Sequence, residues 1–530
     1  MQQPGLTLVR TPPEAVSRSV RDVRREVRSA AKEVVAFVER TARTPDVTFS
    51  DFEGELTTQV FAFARAAITL FLILREDWLM KRQSARVEVG DRRFRMAPAI
   101  YRNLATLFGV VRYKRTYMRE VADGPRHGFF PLDLDLGLTS DRFSWNVVSR
   151  AVLLATKLSF TEARSTLAKF VPNAPSTEAI EQAVLGLGRH TAEWFESQPA
   201  PDGDGDVLVI MFDGKGAPMA TQTELERRRG KRRKRRRARS PRHRGREKRK
   251  RYPKKPRRKK GDKSKNAKMA TMVVMYTLKR HRDRLEGPLN RRIYASFAPK
   301  RHAFEIARRE ADKRGFTANS TKLVQIVTDG DSDLERYASE FFPRAIHTTD
   351  VIHVIEKLWK AGECLFREGT EDLRGWVEAQ KGRLYKGNVE DIFLELIARH
   401  DAIPKTGPGN KGKRKRLHAI SQYLVNRGLQ RMNYDELLER DLEISSGMIE
   451  GAIKNVIGRR FDHGGSRWIK ERAEALLQLR CIEINGDWDR FMTRVHDRIR
   501  TQGTDEAAIL RLQTNAAAPL PVPTSLDQAA

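Results

Sequence analysis

The chain has 530 residues, which is too long for one ordinary hydrophobic core and predicts several domains of roughly 150 residues each. Its formal net charge of +33 indicates a polyanionic partner, with nucleic acid the first candidate. The two cysteines, Cys364 and Cys481, are too few for a disulfide framework or a zinc knuckle and fit a reducing cytosol. The amino terminus shows no signal-peptide pattern, so we expect a cytoplasmic protein, associated with the nucleoid when bound to DNA.

The amino-terminal region predicts two helices that pack as a hairpin. The first, Ala15 to about Ala42, repeats apolar residues at helical spacing among many charges. The second, Asp51–Gln83, is far more apolar, and Ser50 or Asp51 is its expected N-cap. Its apolar stretch Val60–Leu74 contains Arg65 and is too short to span a membrane, so we predict a buried core helix.

Two basic, alternating runs follow, at residues 84–96 and 107–121, and they predict a small antiparallel sheet with one positive face. We assign residues 1–130 to a region of helical hairpin and small basic sheet. Phe130–Leu138 is expected to be a linker. Three or four short helical patterns then run to Trp194, and their spacing is similar to a helix-turn-helix, with Ser176 as a cap. Ordinary helical packing is the alternative for this second region, residues 131–200.

Two later runs have the character of buried strands, and each ends in Asp-Gly. They are Val207–Gly214, which delivers Asp213, and Leu323–Gly330, which delivers Asp329. Between them the pattern predicts two more strands and a helix, so the first three strands are antiparallel and the fourth lies parallel beside the first. This order is expected of a ribonuclease-H-like α/β core and brings the two carboxylates together. The alternative for either site alone is a simple Asp-Gly turn.

The loop after the first of these strands contains a concentrated basic segment. From Arg227 to Lys268 there are 27 Lys and Arg against 2 acids, so 25 of the 33 net positive charges lie there. Such a block repels itself, and we expect it to be disordered until it meets phosphates. Its cations are candidate DNA-binding residues, for example Arg232, Arg235, Lys254 and Lys255.

Residues 351–442 have a helical pattern throughout, which predicts an all-helical domain inserted into a core formed by residues 201–350 and 443–485. After it, Glu450 is the best candidate for a third carboxylate, on a helix capped by Ser445 or Ser446. An acid favoured in a first helical turn by the helix dipole is the alternative. The candidate DNA contacts that follow Glu450 in the chain are Lys454, Arg459, Arg460 and Trp468. Trp468 could instead be a core residue. Residues 486–530 predict a carboxy-terminal helix and a disordered tail.

Taken together, these motifs resemble the DDE transposases of bacterial insertion sequences, in the branch related to Mutator-like elements. The resemblance rests on FDGKG around Asp213, VTDGDSDL around Asp329, TTDVIHVIEKLW with Asp350 and His353, and GMIEGAIKNVIGRRFDHGGSRW around Glu450. Relatives often carry cysteine pairs ahead of the core, and this chain departs from them there because it has none.

The resemblance implies a catalytic triad of Asp213, Asp329 and Glu450 that holds two Mg²⁺ or Mn²⁺ ions, with Asp350 and His353 in support. For these two residues a capping aspartate and a packed histidine are the alternative. The implied function is cleavage and strand transfer of double-stranded DNA, at terminal inverted repeats and at target DNA, by a homo-oligomer that is at least a dimer on DNA. Two other functions stay open: a nuclease of the same fold without strand transfer, and a nonenzymatic basic nucleic-acid-binding protein.

Overall fold

The computed structural model describes residues 19–82, 85–89, 92–121, 128–139, 141–227, 267–426, 429–462 and 466–502. The chain divides into two compact units, one of residues 1–183 and 489–530 and one of residues 184–488. The predicted basic loop 227–268 lies outside the described residues except at its ends, and so do Arg232, Arg235, Lys254 and Lys255.

The first unit combines helices with an antiparallel sheet whose described strands have the order β1-β2-β3-β4. Its elements are α1 (Val20–Thr41), α2 (Phe49–Met80), β1 (Arg86–Val89), β2 (Arg92–Thr106), β3 (Gly109–Glu120), β4 (Gly128–Phe129), α3 (Pro131–Leu136), α4 (Trp145–Lys157), α5 (Phe160–Leu167), the start of α6 (Thr177–Gly188) and, near the carboxy terminus, Trp488–Gln502. The predicted small antiparallel sheet is therefore confirmed.

Helices α1 and α2 form the predicted hairpin, in which the rings of Phe37 and Phe52 stack with centroids 5.6 Å apart. The expected cap of α2 was wrong. Thr48 is the N-cap, because its hydroxyl accepts the Asp51 amide hydrogen bond at 3.2 Å. The helix starts two residues earlier than predicted because Thr48 supplies this bond.

Helix α2 is not the buried core helix that we predicted. Along its described length only Ala66, Thr69, Leu72 and Leu79 are buried, while Phe71 is 54% exposed. By length and composition alone α2 could cross a membrane, a test that core helices of soluble proteins also pass, and 17% of its most apolar window is buried. The helix packs against α1 and, through Ile68, Leu72 and Leu79, against the sheet at β3.

The expected linker Phe130–Leu138 instead contains the helix α3. Pro131 opens this helix and Gly137 ends it with φ of 64° in the left-handed region, which favours glycine. Asp133 in its first turn is buried and forms ion pairs with Arg102, at 2.9 Å, and with Arg115. This internal charge cluster fixes α3 against the sheet, and Leu132 of the helix is buried in the same core.

The second unit is built on a sheet with the strand order β7-β6-β5-β8-β9. Its elements are α7 (Thr191–Ser197), β5 (Val207–Pro218), β6 (Ala267–His281), β7 (Arg284–Ser296), α8 (Lys300–Lys313), β8 (Leu323–Thr328), α9 (Ser332–Phe341), β9 (Ile346–Thr349), α10 (Val351–Leu365), α11 (Glu371–Tyr385), α12 (Val389–Ala402), α13 (Asn410–Asn426), α14 (Tyr434–Glu439), α15 (Gly447–Ile453) and α16 (Lys470–Ile484).

Strand β5 lies at the centre of this sheet. It is antiparallel to β6, which is antiparallel to β7, and it is parallel to β8, which is parallel to β9. Its first six residues are buried, and α8 and α9 contribute to the core on one face, where the rings of Phe212 and Phe304 stack 3.8 Å apart. The predicted arrangement of three antiparallel strands with a fourth parallel to the first is confirmed, within a mixed α/β architecture.

The helices α10 to α14 occupy the stretch where we predicted an all-helical insertion. Their chain leaves the sheet after β9 and returns before α15, and the Val351 amide donates a hydrogen bond of 3.0 Å to the Ile444 carbonyl. The insertion therefore begins and ends at one place beside the sheet.

Candidate active site

The first two candidate carboxylates lie side by side where the parallel pairing of β5 and β8 ends. Strand β5 itself does not end at Gly214 as predicted, because it continues to Pro218 in its pairing with β6. Phe212 in β5 and Thr328 in β8 are register partners, and Asp213 and Asp329 are the next residues along each chain. The Asp213 carboxylate accepts the Gly214 amide hydrogen bond at 2.5 Å, and the Asp329 carboxylate accepts that of Asp331 at 2.9 Å. The structure thus brings together the two acids as the strand pattern predicted.

Asp213 has an unusual electrostatic environment. Its pKa is raised to about 6, chiefly by burial, while the hydrogen bond from the Gly214 amide acts in the opposite direction and the charges of Asp329 and Glu450 act in the same direction as burial. The charge of His353 lowers it. This neighbourhood therefore contains the three carboxylates of Asp213, Asp329 and Glu450 and the imidazole of His353, all close enough for their charges to affect the pKa of Asp213.

Glu450 reaches this neighbourhood from α15, in the first turn of that helix. The Ser446 residue precedes α15, but its hydroxyl makes no capping bond within the helix, contrary to the sequence expectation. Instead it donates to the Asp350 carboxylate at 2.7 Å. Directly after α15 the chain forms a π-helical turn, Lys454–Gly458, a feature that is frequent at functional sites.

Asp350 is fully buried and joins three parts of the site. Its carboxylate accepts hydrogen bonds from the Ile352 amide at 3.1 Å, from the Ser446 amide at 3.1 Å, from the Ser446 hydroxyl and from His353 Nδ1. Burial acts to raise the pKa of Asp350, but these hydrogen bonds outweigh it and the pKa is lowered. Asp350 is therefore a charged N-cap of α10 that also holds the residue before α15 and orients His353.

His353 connects this buried carboxylate to the acids. Its bond to Asp350 raises its pKa, against the effect of burial, and the charge of Asp329 acts in the same direction as that bond. Because Nδ1 is engaged by Asp350, Nε2 is the ring nitrogen left for a metal ion or a phosphate oxygen.

A group of residues in the described chain could hold a metal ion. Ligand atoms of Asp350, His353 and Glu450 all lie within 4.8 Å of one another. Of the predicted metal ligands, Glu450 belongs to this group, while Asp213 and Asp329 are linked to it through their charges. Asp350 and His353, the residues predicted to support the site, thus lie beside the third acid.

Gln325 is a site residue that the sequence reading missed. It lies fully buried in β8, where its amide nitrogen donates to the Glu443 carbonyl at 2.6 Å and its amide oxygen accepts from the Glu443 amide at 3.0 Å. A third bond, of 2.9 Å, runs from the same amide nitrogen to the Thr348 hydroxyl. This pairing ties the segment before α15 to the sheet. The available signal was a lone glutamine within the apolar run LVQIVT.

Two predicted DNA contacts are corrected by the structure. Trp468 is 7% exposed, and its indole nitrogen donates to the Phe461 carbonyl at 3.2 Å, so it is a core residue and cannot stack on a base. Arg460 is 5% exposed, with its guanidinium 4.7 Å from the centre of the Trp468 ring. Lys454 and Arg459 are exposed and stay candidates for phosphate contacts.

No protein-family model matches the chain, and a search of curated proteins found no match.

Proposed function

We propose that the chain is a DNA transposase whose second unit is a ribonuclease-H-like catalytic core. The observation that carries this proposal is the placement of Asp213 and Asp329 directly after register partners on the parallel strands β5 and β8. Glu450 adds a third carboxylate whose charge acts on Asp213. The strand order and the three acids agree with the resemblance noted in the sequence, and so does the helical insertion ahead of Glu450.

The donor set favours hard divalent cations. Carboxylate oxygens are the ligands that Mg²⁺ and Mn²⁺ prefer. The pKa of Asp213 is raised chiefly by burial, and the nearby charges of Asp329 and Glu450 act in the same direction, so a bound cation would relieve a repulsion between these acids. Asp213, Asp329 and Glu450 would hold two such ions, with His353 Nε2 beside them. When bound, the ions would supply activation of a water or 3′-hydroxyl and stabilisation of the leaving oxygen at phosphorus.

The protein's own contribution is to bring the acids together. Parallel pairing fixes Asp213 beside Asp329, while Gln325 and Asp350 fix the segment that carries Glu450. The exposed Lys454 and Arg459, one and two turns beyond Glu450, are placed to bind phosphates of the DNA being cut. Hydrolysis and strand transfer would then share one site, in a cytoplasmic enzyme that works as a dimer or larger oligomer on DNA.

The test uses DNA fragments from both sides of the protein's own gene. We expect the purified protein with Mg²⁺ to cut within them and to join a 3′-hydroxyl end to a target plasmid. Asp213→Asn, Asp329→Asn and Glu450→Gln should each abolish cutting and leave DNA binding intact. Full cleavage by any one variant would remove that residue from the triad.

The same assay separates the two alternative functions. Cutting without joined products in the plasmid would identify a nuclease of this fold. Binding without cutting, in Mg²⁺ and in Mn²⁺, would identify a nonenzymatic nucleic-acid-binding protein. The clustered acids favour an enzyme over that second alternative, since a binding protein gains nothing from carboxylates that repel phosphate.

A further inference from the structure

A row of arginines crosses the sheet of the first unit. Arg86 in β1 is the register partner of Arg95 in β2, and Arg95 is the partner of Arg119 in β3. The row ends at Gly128 in β4, which pairs with Arg119 and has no side chain to cover it. Direct partners in antiparallel strands lie on the same face, so three guanidinium groups stand in line.

This arrangement is unfavourable for the sheet by itself. Like charges on directly opposite residues destabilise an antiparallel pair, and here Arg95 faces a like charge on both sides. Arg86 and Arg95 are exposed and Arg119 is half-buried. Among the side chains that the structure describes, which do not include that of Glu88, no ion pair joins any of these three arginines to a carboxylate. By contrast Arg92, on the opposite face, pairs with Glu120 at 2.8 Å.

The surroundings of the row add to its positive charge. Arg93, two residues before Arg95, lies on the same face and is exposed, and its register partner in β1 is Glu88. Four arginines thus stand on this patch, with one acid as a strand neighbour. We call Arg86, Arg93, Arg95 and Arg119 the arginine row.

We propose that the arginine row binds the phosphate backbone of double-stranded DNA. Three of its members follow one line across strands that lie about 4.8 Å apart, a linear array suited to consecutive phosphates along one DNA strand. All four are arginine, whose planar guanidinium matches phosphate oxygens better than lysine does. A bound backbone would remove the mutual repulsion that the free sheet carries.

This inference rests on the DNA substrate of the proposed function, and it adds a binding surface distant in sequence from the catalytic acids. It requires no cutting, so its test uses the full chain carrying Asp213→Asn, which is expected to bind DNA without cleaving it. The probe is a labelled duplex, titrated over a range of salt concentrations.

The test variant is Arg86→Gln with Arg95→Gln and Arg119→Gln. The matched control removes three exposed cations of the second unit: Lys360→Gln, Arg374→Gln and Arg440→Gln. Each phosphate contact contributes roughly 0.9 to the slope of log affinity against log salt. We expect the test variant to lose about two to three units of slope and the control less than about one. Equal losses in the two variants would overturn the proposal.

A second readout separates binding from structure. Arg95→Gln alone removes both like-charge contacts, so its melting temperature at low salt should equal or exceed that of the parent. A lower melting temperature would mean that Arg95 holds the sheet together, which contradicts the proposal. The proposal would also be contradicted if the triple variant bound the duplex as the parent does but lost binding to single-stranded RNA or to anionic lipid vesicles. If the row variants lose slope while the wild type neither cuts nor joins DNA, only the proposed enzymatic function fails.

Discussion

At the scale of single residues, Asp213 couples the stability of the protein to pH and to the binding of cations. Its raised pKa of about 6 means that the folded protein keeps this proton more readily than the unfolded chain does. The resulting stabilisation is complete below about pH 4 and is lost as pH rises through about 6. Metal ions compete with the same proton, so their binding should strengthen over this interval.

Asp213→Asn should therefore change the dependence of stability on pH. Without divalent cations and at pH 7, we expect the variant to exceed the wild type in free energy of unfolding by about 1 to 3 kcal/mol, and at pH 4 the difference should vanish. Denaturant titrations at the two pH values measure it. With saturating Mg²⁺ the order should reverse at pH 7, because the wild type gains the binding free energy. A difference independent of pH would contradict the assigned environment.

Asp350 and His353 should behave differently from each other, although the sequence grouped them. Asp350→Ala leaves a helix and the buried Ser446 without their acceptor, and we expect a loss of about 2 to 4 kcal/mol in free energy of unfolding. His353→Ala removes a half-buried ring and should cost less than about 1 kcal/mol while strongly reducing cleavage. Denaturation and cleavage assays on both variants give the comparison, and normal cleavage by His353→Ala would make that residue structural.

At the scale of elements, the strands and the third acid differ in how far the sequence could predict them. The apolar, β-branched runs of β5 and β8 signal buried parallel strands, and Asp213 and Asp329 follow from them directly. The position of Glu450 depends on contacts between residues over a hundred positions apart, such as Gln325 with Glu443, and no local pattern encodes these. The buried state of Trp468 likewise depends on Met219 of a distant strand end, with which it forms a β-bridge.

Replacing Gln325 tests whether the tie to Glu443 positions the third acid. Gln325→Leu keeps the side-chain volume but leaves the Glu443 amide and carbonyl unpaired, so we expect a loss of about 2 to 3 kcal/mol in free energy of unfolding and a large fall in cleavage. Gln380→Leu is the matched control, since Gln380 is equally buried but bonds Glu395 inside the insertion. Its folded protein should cleave normally. Equal cleavage by both variants would show that the tie serves stability alone.

At the scale of the whole molecule, charge is distributed very unevenly, and the basic segment at Arg227–Lys268 holds most of it. The segment connects the end of β5 to the start of β6, and these two points are adjacent because Pro218 and Ala267 are register partners. Arg227 is therefore at most about 30 Å from Ala267. A linker of about ten residues can span that gap.

Replacing residues 228–266 with such a Gly/Ser linker should leave the second unit folded. We expect the salt slope of DNA binding to flatten by several units, while the preference for end sequences over random DNA persists. Salt titrations with end-containing and random duplexes test both statements. An unchanged slope would show that this segment does not contact phosphates.

The hydrogen bonds that join Val351 to Ile444 and Asp350 to Ser446 have a consequence for how such a chain can evolve. They close the base of the helical insertion, so about ninety residues hang from two adjoining points as a single appendage. The insertion also contacts the sheet elsewhere, since the Tyr423 hydroxyl donates to the Asp329 carbonyl at 3.2 Å and the Tyr434 hydroxyl donates to the Thr349 carbonyl at 2.7 Å. Changes of length that keep these two contacts need not disturb the sheet, because the closure entropy of a longer excursion grows only slowly with its length. Substrate choice could thus diverge through the appendage while the acids keep their places, and a chimera that receives a foreign insertion between Val351 and Ile444 would be a practical way to engineer it.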